Sequence, residues 1–242
     1  MTRLIEHDSP KASRILNATR ELVLEHGIRK VTIAEIARAA GVGKGTVYLY
    51  WPAKEELLLD LFGRDFLVGL DSIRAALAAD PDLVRPARLA PLVLRTMRSR
   101  PLPRRLQMGD EDVHRLMSHH TASREVFSRL SPSALCAAVL DGLREHGVVR
   151  QDRPANEQAY ALHTLLVGSF VTETVPFFEG PAVQREPDQI LAEAIGRLLA
   201  PSAEVGEQAL RAAATDVLAT FDRRREDVLA HLRELTVAAT GS

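Results

Sequence analysis

Apolar residues recur every three or four positions from residue 15 onward, and the rhythm breaks wherever glycine or proline falls. Ile15, Ala18, Thr19, Leu22 and Val23 share one face of a helix that Ser9-Pro10 would start and Gly27 would end. Thr32 and Glu35 have the spacing of a capping box, in which each side chain bonds the other's backbone N–H. Ile33, Ile36, Ala37 and Ala40 then give a short second helix its apolar face, and Gly41 suits the tight turn after it. A third helix is predicted from about Gly43 to Tyr50, with Val42, Val47 and Trp51 available to pack inward. Pro52 would open a fourth, with Glu55 and Glu56 where a helix start favours negative charge.

The remainder stays helical in pattern. Helices are predicted near 52–79, 85–99, 103–108, 111–119, 123–130, 132–146, 154–177 and 187–200, punctuated mainly by prolines. The segment ALHTLLVGSFVTETVPFF (161–178) is apolar on nearly every side, so burial on more than one face is expected. Together with IGRLLA (195–200) it forms the candidate subunit interface. Leu210, Val217, Phe221, Val228, Leu232 and Leu235 continue near heptad spacing across a charged DRRRED (222–227). They predict one or two extra helices within about 202–240. No strand-period alternation of any length occurs. The expected fold class is therefore all-α: an N-terminal three-helix helix-turn-helix domain over 1–51, then a larger helical domain over 52–242.

Composition narrows the possibilities. Of 242 residues, 46% are hydrophobic and 26% charged, which suits a folded soluble chain rather than a disordered one. One cysteine, Cys136, excludes an intrachain disulfide and a thiolate metal cage. The start of the chain lacks a signal-peptide pattern, and no apolar run nears the ~20 residues of a membrane span. A cytoplasmic location is the expectation. The net charge of −1 conceals an asymmetry: residues 1–54 carry nine Lys/Arg against five Asp/Glu, leaving −5 for the rest. A basic head on an acidic body suggests a polyanion as the head's partner.

The run GVGKGT (41–46) superficially suggests a nucleotide-binding loop. A P-loop requires G-x-x-x-x-G-K-[ST] between a strand and a helix. Here the first glycine's place is held by Arg38, the hydroxyl's place by Gly45, and a capped helix precedes. The phosphates of DNA suit the run better. The second helix of a helix-turn-helix enters the major groove with its first residues toward bases and backbone. Gly43 and Gly45 would keep that helix slim. Lys44 can reach a guanine edge or a phosphate, and Thr46 offers a hydroxyl and a methyl. Tyr48 and Tyr50 would set phenolic groups at the groove walls, with Thr32 and Lys54 as flanking phosphate donors.

With those residues in view, VTIAEIARAAGVGKGTVYLYWPAKEELL (31–58) resembles the DNA-binding domain of the TetR family of bacterial transcriptional regulators. The resemblance covers about the first quarter of the chain. It combines the T-x-x-E-I-A capping segment, the G-x-x-K-G-T-x-Y helix and the K-E-E-L-L entry to the fourth helix. Trp51 departs from the family's usual Phe but keeps an aromatic anchor, and Val42-Gly43 replaces a stretch where a small hydroxyl residue is frequent. The resemblance implies a homodimer that reads palindromic double-stranded DNA, with subunits meeting through helices about 154–177 and 187–200. It also implies a small-molecule effector bound in the second domain that releases the DNA, hence a repressor, with no enzymatic activity and no cofactor.

Other constellations in the chain have plainer readings. Glu111 and His114 form an E-x-x-H pair followed by His119 and His120, which would serve a metal-binding helical protein or enzyme. A di-iron bundle needs a second such pair, and none occurs, so a solvated helix end is preferred. RTMRSRPLPRR (95–105) reads as a wet loop rather than an anion site. Phe62, Phe66, Met97, Met108, Cys136, Tyr160, His163, Phe170 and Phe177 are candidates for the effector pocket, although most would equally serve as plain core.

Overall fold

A computed structural model describes residues 4–102, 132–174 and 183–237, and every regular element among them is helical. The all-α expectation holds. Ser9, in extended conformation, caps α1 (Pro10–His26) by accepting from the Ala12 amide, and proline fills the first turn. Gly27 ends α1 at φ +83°, where only glycine is at ease. The Thr32–Glu35 capping box starts α2 (Ile33–Ala39). Gly41 turns the chain at φ +66°, and α3 (Lys44–Tyr50) follows with Gly43 as its cap. These three helices pack on one another. Ile15, Leu16, Val23, Ile36, Val47 and Trp51 form their shared core.

α4 (Lys54–Ala79) begins after a short bend at Pro52, not at the proline itself, because Glu56 reaches back to cap the Ala53 amide at 2.6 Å. A 3₁₀ turn (Pro81–Val84), not foreseen from the sequence, is initiated by the Asp80 carboxylate on the Asp82 amide. There follow α5 (Pro86–Arg98), α6 (Pro132–Glu145), α7 (Ala155–Thr174), α8 (Pro187–Leu199) and α9 (Glu207–Val237). The tail is thus one helix, which DRRRED does not interrupt. Leu210, Val217, Phe221, Val228, Leu232 and Leu235 are all buried along it. The helices predicted at 103–108, 111–119 and 123–130 lie outside the described residues.

Two compact units divide the described residues. One takes in 4–69, 100–102 and 225–237; the other takes in 70–99, 132–174 and 183–224. In the second unit, α5 packs on α7 and α8, and α7 on α6. The apolar stripe of α8 (Leu191, Ile195, Leu199) is spent inside the chain. Arg95 and Arg98 hold the Asp188 carboxylate at 3.0 and 2.6 Å, and Arg98 also pairs with Glu173. Those two arginines of the 95–105 run therefore tie helices together. In α7, Gln158, Leu162 and Phe170 are buried, whereas Tyr160 is 73% and Val167 40% exposed. Within one chain, α7 buries one face rather than several.

The first unit contains a buried ionic chain. Asp60 of α4, wholly inaccessible, accepts from Trp51 Nε1 at 2.9 Å and from Arg64 Nε at 2.6 Å. Arg64 also donates to the carbonyls of Ile5 and Glu6, at 3.3 and 2.9 Å. Burial pushes the Asp60 carboxyl up to about 6, against the opposing pull of Arg64 and Trp51. A folded value above the unfolded one means that the folded state binds the extra proton. The stability owed to this group is therefore present below about pH 4 and lost as pH rises through about 6. Asp60→Asn keeps an acceptor but cannot titrate. The wild-type-minus-variant difference in unfolding free energy is expected to fall between pH 4 and 6, measured by urea unfolding followed through Trp51 fluorescence. Asp60→Ala, which strands Arg64, is expected to cost about 3–5 kcal/mol at pH 7.

Candidate nucleic-acid interface

The turn between α2 and α3 is closed by backbone bonds from Gly41 N to the Arg38 carbonyl (3.2 Å) and from Val42 N to the Ala37 carbonyl (2.9 Å). That closure fixes how α3 leaves α2. Val47 and Trp51 anchor the inward face of α3, both fully buried. The opposite face is open. Gly43, Lys44 and Gly45 are exposed, Thr46 is half-buried, and Tyr48 is 49% exposed. Leu49, 65% exposed, also stands on this face, although sequence reasoning did not select it. The signal was present: Val47 and Trp51 mark the inner side four residues apart, which leaves 48 and 49 outside.

Gly45 is informative because nothing within the chain demands it. A Cβ built there meets no atom within 4 Å, and its φ is not positive. Glycine in an exposed helix costs about 1 kcal/mol relative to alanine. The space it leaves belongs to whatever approaches from outside.

Three of the eight residues selected for DNA contact also hold the fold together. The Thr32 hydroxyl donates to Glu35 Oε2 at 2.8 Å and accepts from the Glu35 amide at 3.3 Å. The hydrogen bond from Thr32 holds the Glu35 carboxyl below its usual range. The Tyr50 hydroxyl lies 2.8 Å from Ser9 Oγ, the cap of α1, and its ring meets those of His7 and Trp51 with centroids 5.9 and 5.6 Å away. Lys54 Nζ donates to the Ile28 carbonyl at 2.7 Å. Sequence reasoning gave no hint of Ser9, Asp60 or Arg64 as partners, since each bond joins residues from different elements or successive turns.

The residues selected for an effector pocket divide between the units. Phe62 (buried) and Phe66 (half-buried) belong to the first. Met97, Cys136, Tyr160, His163 and Phe170 belong to the second. Cys136 and Phe170 are buried, and burial pushes the Cys136 thiol up to about 11. Met97 and His163 are half-buried, and His163 Nδ1 is enclosed without a hydrogen-bond partner. Tyr160, standing outward, lines no interior space in a single chain. Met108 and Phe177 lie outside the described residues, as do Glu111, His114, His119 and His120. Among the described residues, no group of His, Cys, Asp or Glu is placed to hold a metal ion.

A capped helix, a glycine turn and a second helix with a small-residue, basic and aromatic outer face define a helix-turn-helix unit. Residues 15–61 match the family model described as bacterial regulatory proteins, tetR family. The chain is 42% identical over 53 residues to the fatty acid metabolism regulator protein of Bacillus subtilis, a stretch covering 22% of this chain and 27% of that one. An uncharacterized HTH-type transcriptional regulator of the same organism is 35% identical over 74 residues, covering 31% and 38%. These matches span about a quarter to two-fifths of the relatives' length. The solved fatty acid degradation regulator FadR from Bacillus halodurans aligns at a TM-score of 0.52 with 18% identity, covering 80% of this chain and 97% of that one, so the likeness in fold runs far beyond the head. Residues 15–61 therefore match the DNA-binding domain of the tetR family, and the rest of the chain is similar to such proteins in fold alone.

Removing the Tyr50 hydroxyl (Tyr50→Phe) is expected to lower stability by about 0.5–1.5 kcal/mol through its bond to Ser9. Tyr48→Phe is expected to stay within about 0.5 kcal/mol. Thermal unfolding of the two variants, followed at Trp51, makes the comparison.

Proposed function

We propose that this chain is a homodimeric, cytoplasmic transcriptional repressor that binds a palindromic operator and is released by a small-molecule effector. The observation that carries the reading is the open face of α3, where exposed glycines flank Lys44 and lead to Tyr48. Gly43 and Gly45 let the helix approach the groove. Lys44 and Thr46 take base edges or phosphates, and Tyr48 takes the backbone at the groove wall. Thr32, Tyr50 and Lys54 flank the reader as further phosphate donors, Thr32 by giving up its hydroxyl bond to Glu35. The reading domain is 1–51, and 52–242 binds effector and partner, with the 202–240 segment as its extension.

The two subunits meet through segments 154–177 and 187–200. The outward Tyr160 and Val167 of α7 support this, and a Cβ at Gly168 would meet nothing within 4 Å in its own chain. A twofold pair reads a palindrome when its recognition helices lie one DNA turn apart, about 34 Å. An effector that prefers another spacing weakens DNA binding by the same coupling free energy. Met97, Cys136, His163 and Phe170 are the effector residues of the second unit, and the unpartnered His163 Nδ1 supports a polar contact there. The chain acts without enzymatic chemistry or a cofactor.

Selection of genomic DNA by the purified protein is expected to recover a palindrome. Tyr48→Ala weakens its binding, and Lys44→Ala lowers the slope of log K against log salt by about one, as loss of a single phosphate contact requires. A folded wild-type dimer that enriches no sequence would sink the reading. Separately, Val167→Glu is expected to sediment as a monomer at concentrations where wild type is a dimer.

A further inference from the structure

The end of α9 belongs to the same compact unit as the three-helix head, although it lies more than 170 residues later in the chain. Val228, Leu232 and Leu235 bury their side chains there. On α4 the residue facing Leu232 is Gly63. A Cβ at Gly63 would lie 2.6 Å from Leu232 Cδ2, 3.1 Å from Cδ1 and 3.3 Å from Cγ. Real Cβ atoms do not approach that closely. Leu232 is 1% exposed and even its Cγ lies within 3.3 Å, so relief would have to come from moving the leucine within the packed interior. Glycine in the middle of a helix is otherwise unfavourable by about 1 kcal/mol against alanine. Its presence at 63 is explained by the seat it makes for Leu232.

Three residues before Gly63 stands Asp60, which holds Trp51 at the end of α3; one residue after it stands Arg64, which holds the carbonyls of Ile5 and Glu6. The α9 seat therefore lies on the turn of α4 from which the head is fastened. We infer that the end of α9 clamps α4 at Gly63, and that Gly63 and Leu232 are positioning residues for DNA reading. This rests on the proposed DNA-binding role; the clamp itself does not. The head alone is small, and a unit of that size buries a smaller fraction of its surface than a larger domain does. The last turns of α9 supply further cover.

A double-mutant cycle in the full-length protein tests the clamp without DNA, because Trp51 is the sole tryptophan and lies in this unit. Leu232→Ala is expected to lower the Trp51 unfolding midpoint by about 5–10 °C. Gly63→Ala is expected to lower it in the wild-type background and to raise it in the Leu232→Ala background, where helix preference acts with the clash removed. Additive effects, with Gly63→Ala behaving alike in both backgrounds, would overturn the clamp. The positioning role is read with the genomic fragment selected by wild type, well below either midpoint. Leu232→Ala is expected to bind it at least ~10-fold more weakly, whereas Arg211→Ala, on the exposed side of α9, binds as wild type. Unchanged affinity in Leu232→Ala would leave a purely structural contact and overturn the positioning role. Should wild type itself select no DNA, the positioning role falls with that reading, and the cycle still decides the clamp.

Discussion

Asp60 is a carboxylate without access to water, and the geometry of the head depends on how it is satisfied. Removed from water and unpaired, such a group would cost several kcal/mol. Trp51 Nε1 and Arg64 Nε meet its two oxygens. The consequence is directional. Trp51 is the residue that caps the end of α3, so α3 is pinned at its C-terminal cap to α4. Arg64, pinned in turn, donates through Nη1 to the backbone ahead of α1. One buried charge thereby fixes the start of α1, the end of α3 and the first turns of α4 to one another. Hydrophobic burial alone would hold these helices together but would not dictate one register.

A second buried carboxylate follows directly along α4. Asp65, also inaccessible, pairs with Arg100 and lies 4.0 Å from Arg20 Nε, and burial raises its carboxyl against their pull. Two arginines around one carboxylate leave Arg20 Nε and Arg100 Nε enclosed without hydrogen-bond partners. Buried ion pairs are weak evidence of stability, since apolar residues of similar volume often do as well. Their value here is selectivity of arrangement. Between the two carboxylates sits Gly63 against Leu232, so α4 presents an acid, a cleft and another acid within about one and a half turns. Each makes a different demand on its neighbour, and no sliding of α4 satisfies all three.

Much of this was legible in the sequence. The apolar period gave the helices, Ser9-Pro10, Thr32/Glu35 and Gly41 gave their ends, and the heptad-like stripe from Leu210 to Leu235 gave the extra helix. Local chemistry writes such features within a few residues, which is why they can be read. The ionic chain could not be read, because Asp60 and Arg64 look like any acid and base on an exposed helix face until tertiary packing buries them. Gly63 was equally silent: its reason is a leucine 169 positions away. In the body, α7 looked apolar all round, but only the folded chain separates the face used internally by Leu162 and Phe170 from the face left by Tyr160 and Val167. The sequence-selected pocket residues mixed both kinds, since an apolar side chain carries no mark of which space it faces.

The same distinction sharpens the reading face. Thr32, Tyr50 and Lys54 were selected for DNA because they carry hydroxyl or amine groups at the right places, and each proves to have a partner inside the fold. The one Thr32 O–H is spent on Glu35, so it reaches a phosphate only by leaving that bond, and Tyr50 can donate to one only when Ser9 supplies the proton of their shared bond. What they lack is freedom of position. A donor already held by Ser9, Glu35 or the Ile28 carbonyl reaches a phosphate only where the fold has placed it. Such residues set register and orientation. Lys44 and Tyr48, outward on a helix thinned by Gly45, keep the freedom to adapt to a sequence. In the DNA-bound state proposed above, the fixed donors would decide where on the duplex the head sits, and the free ones what it reads there.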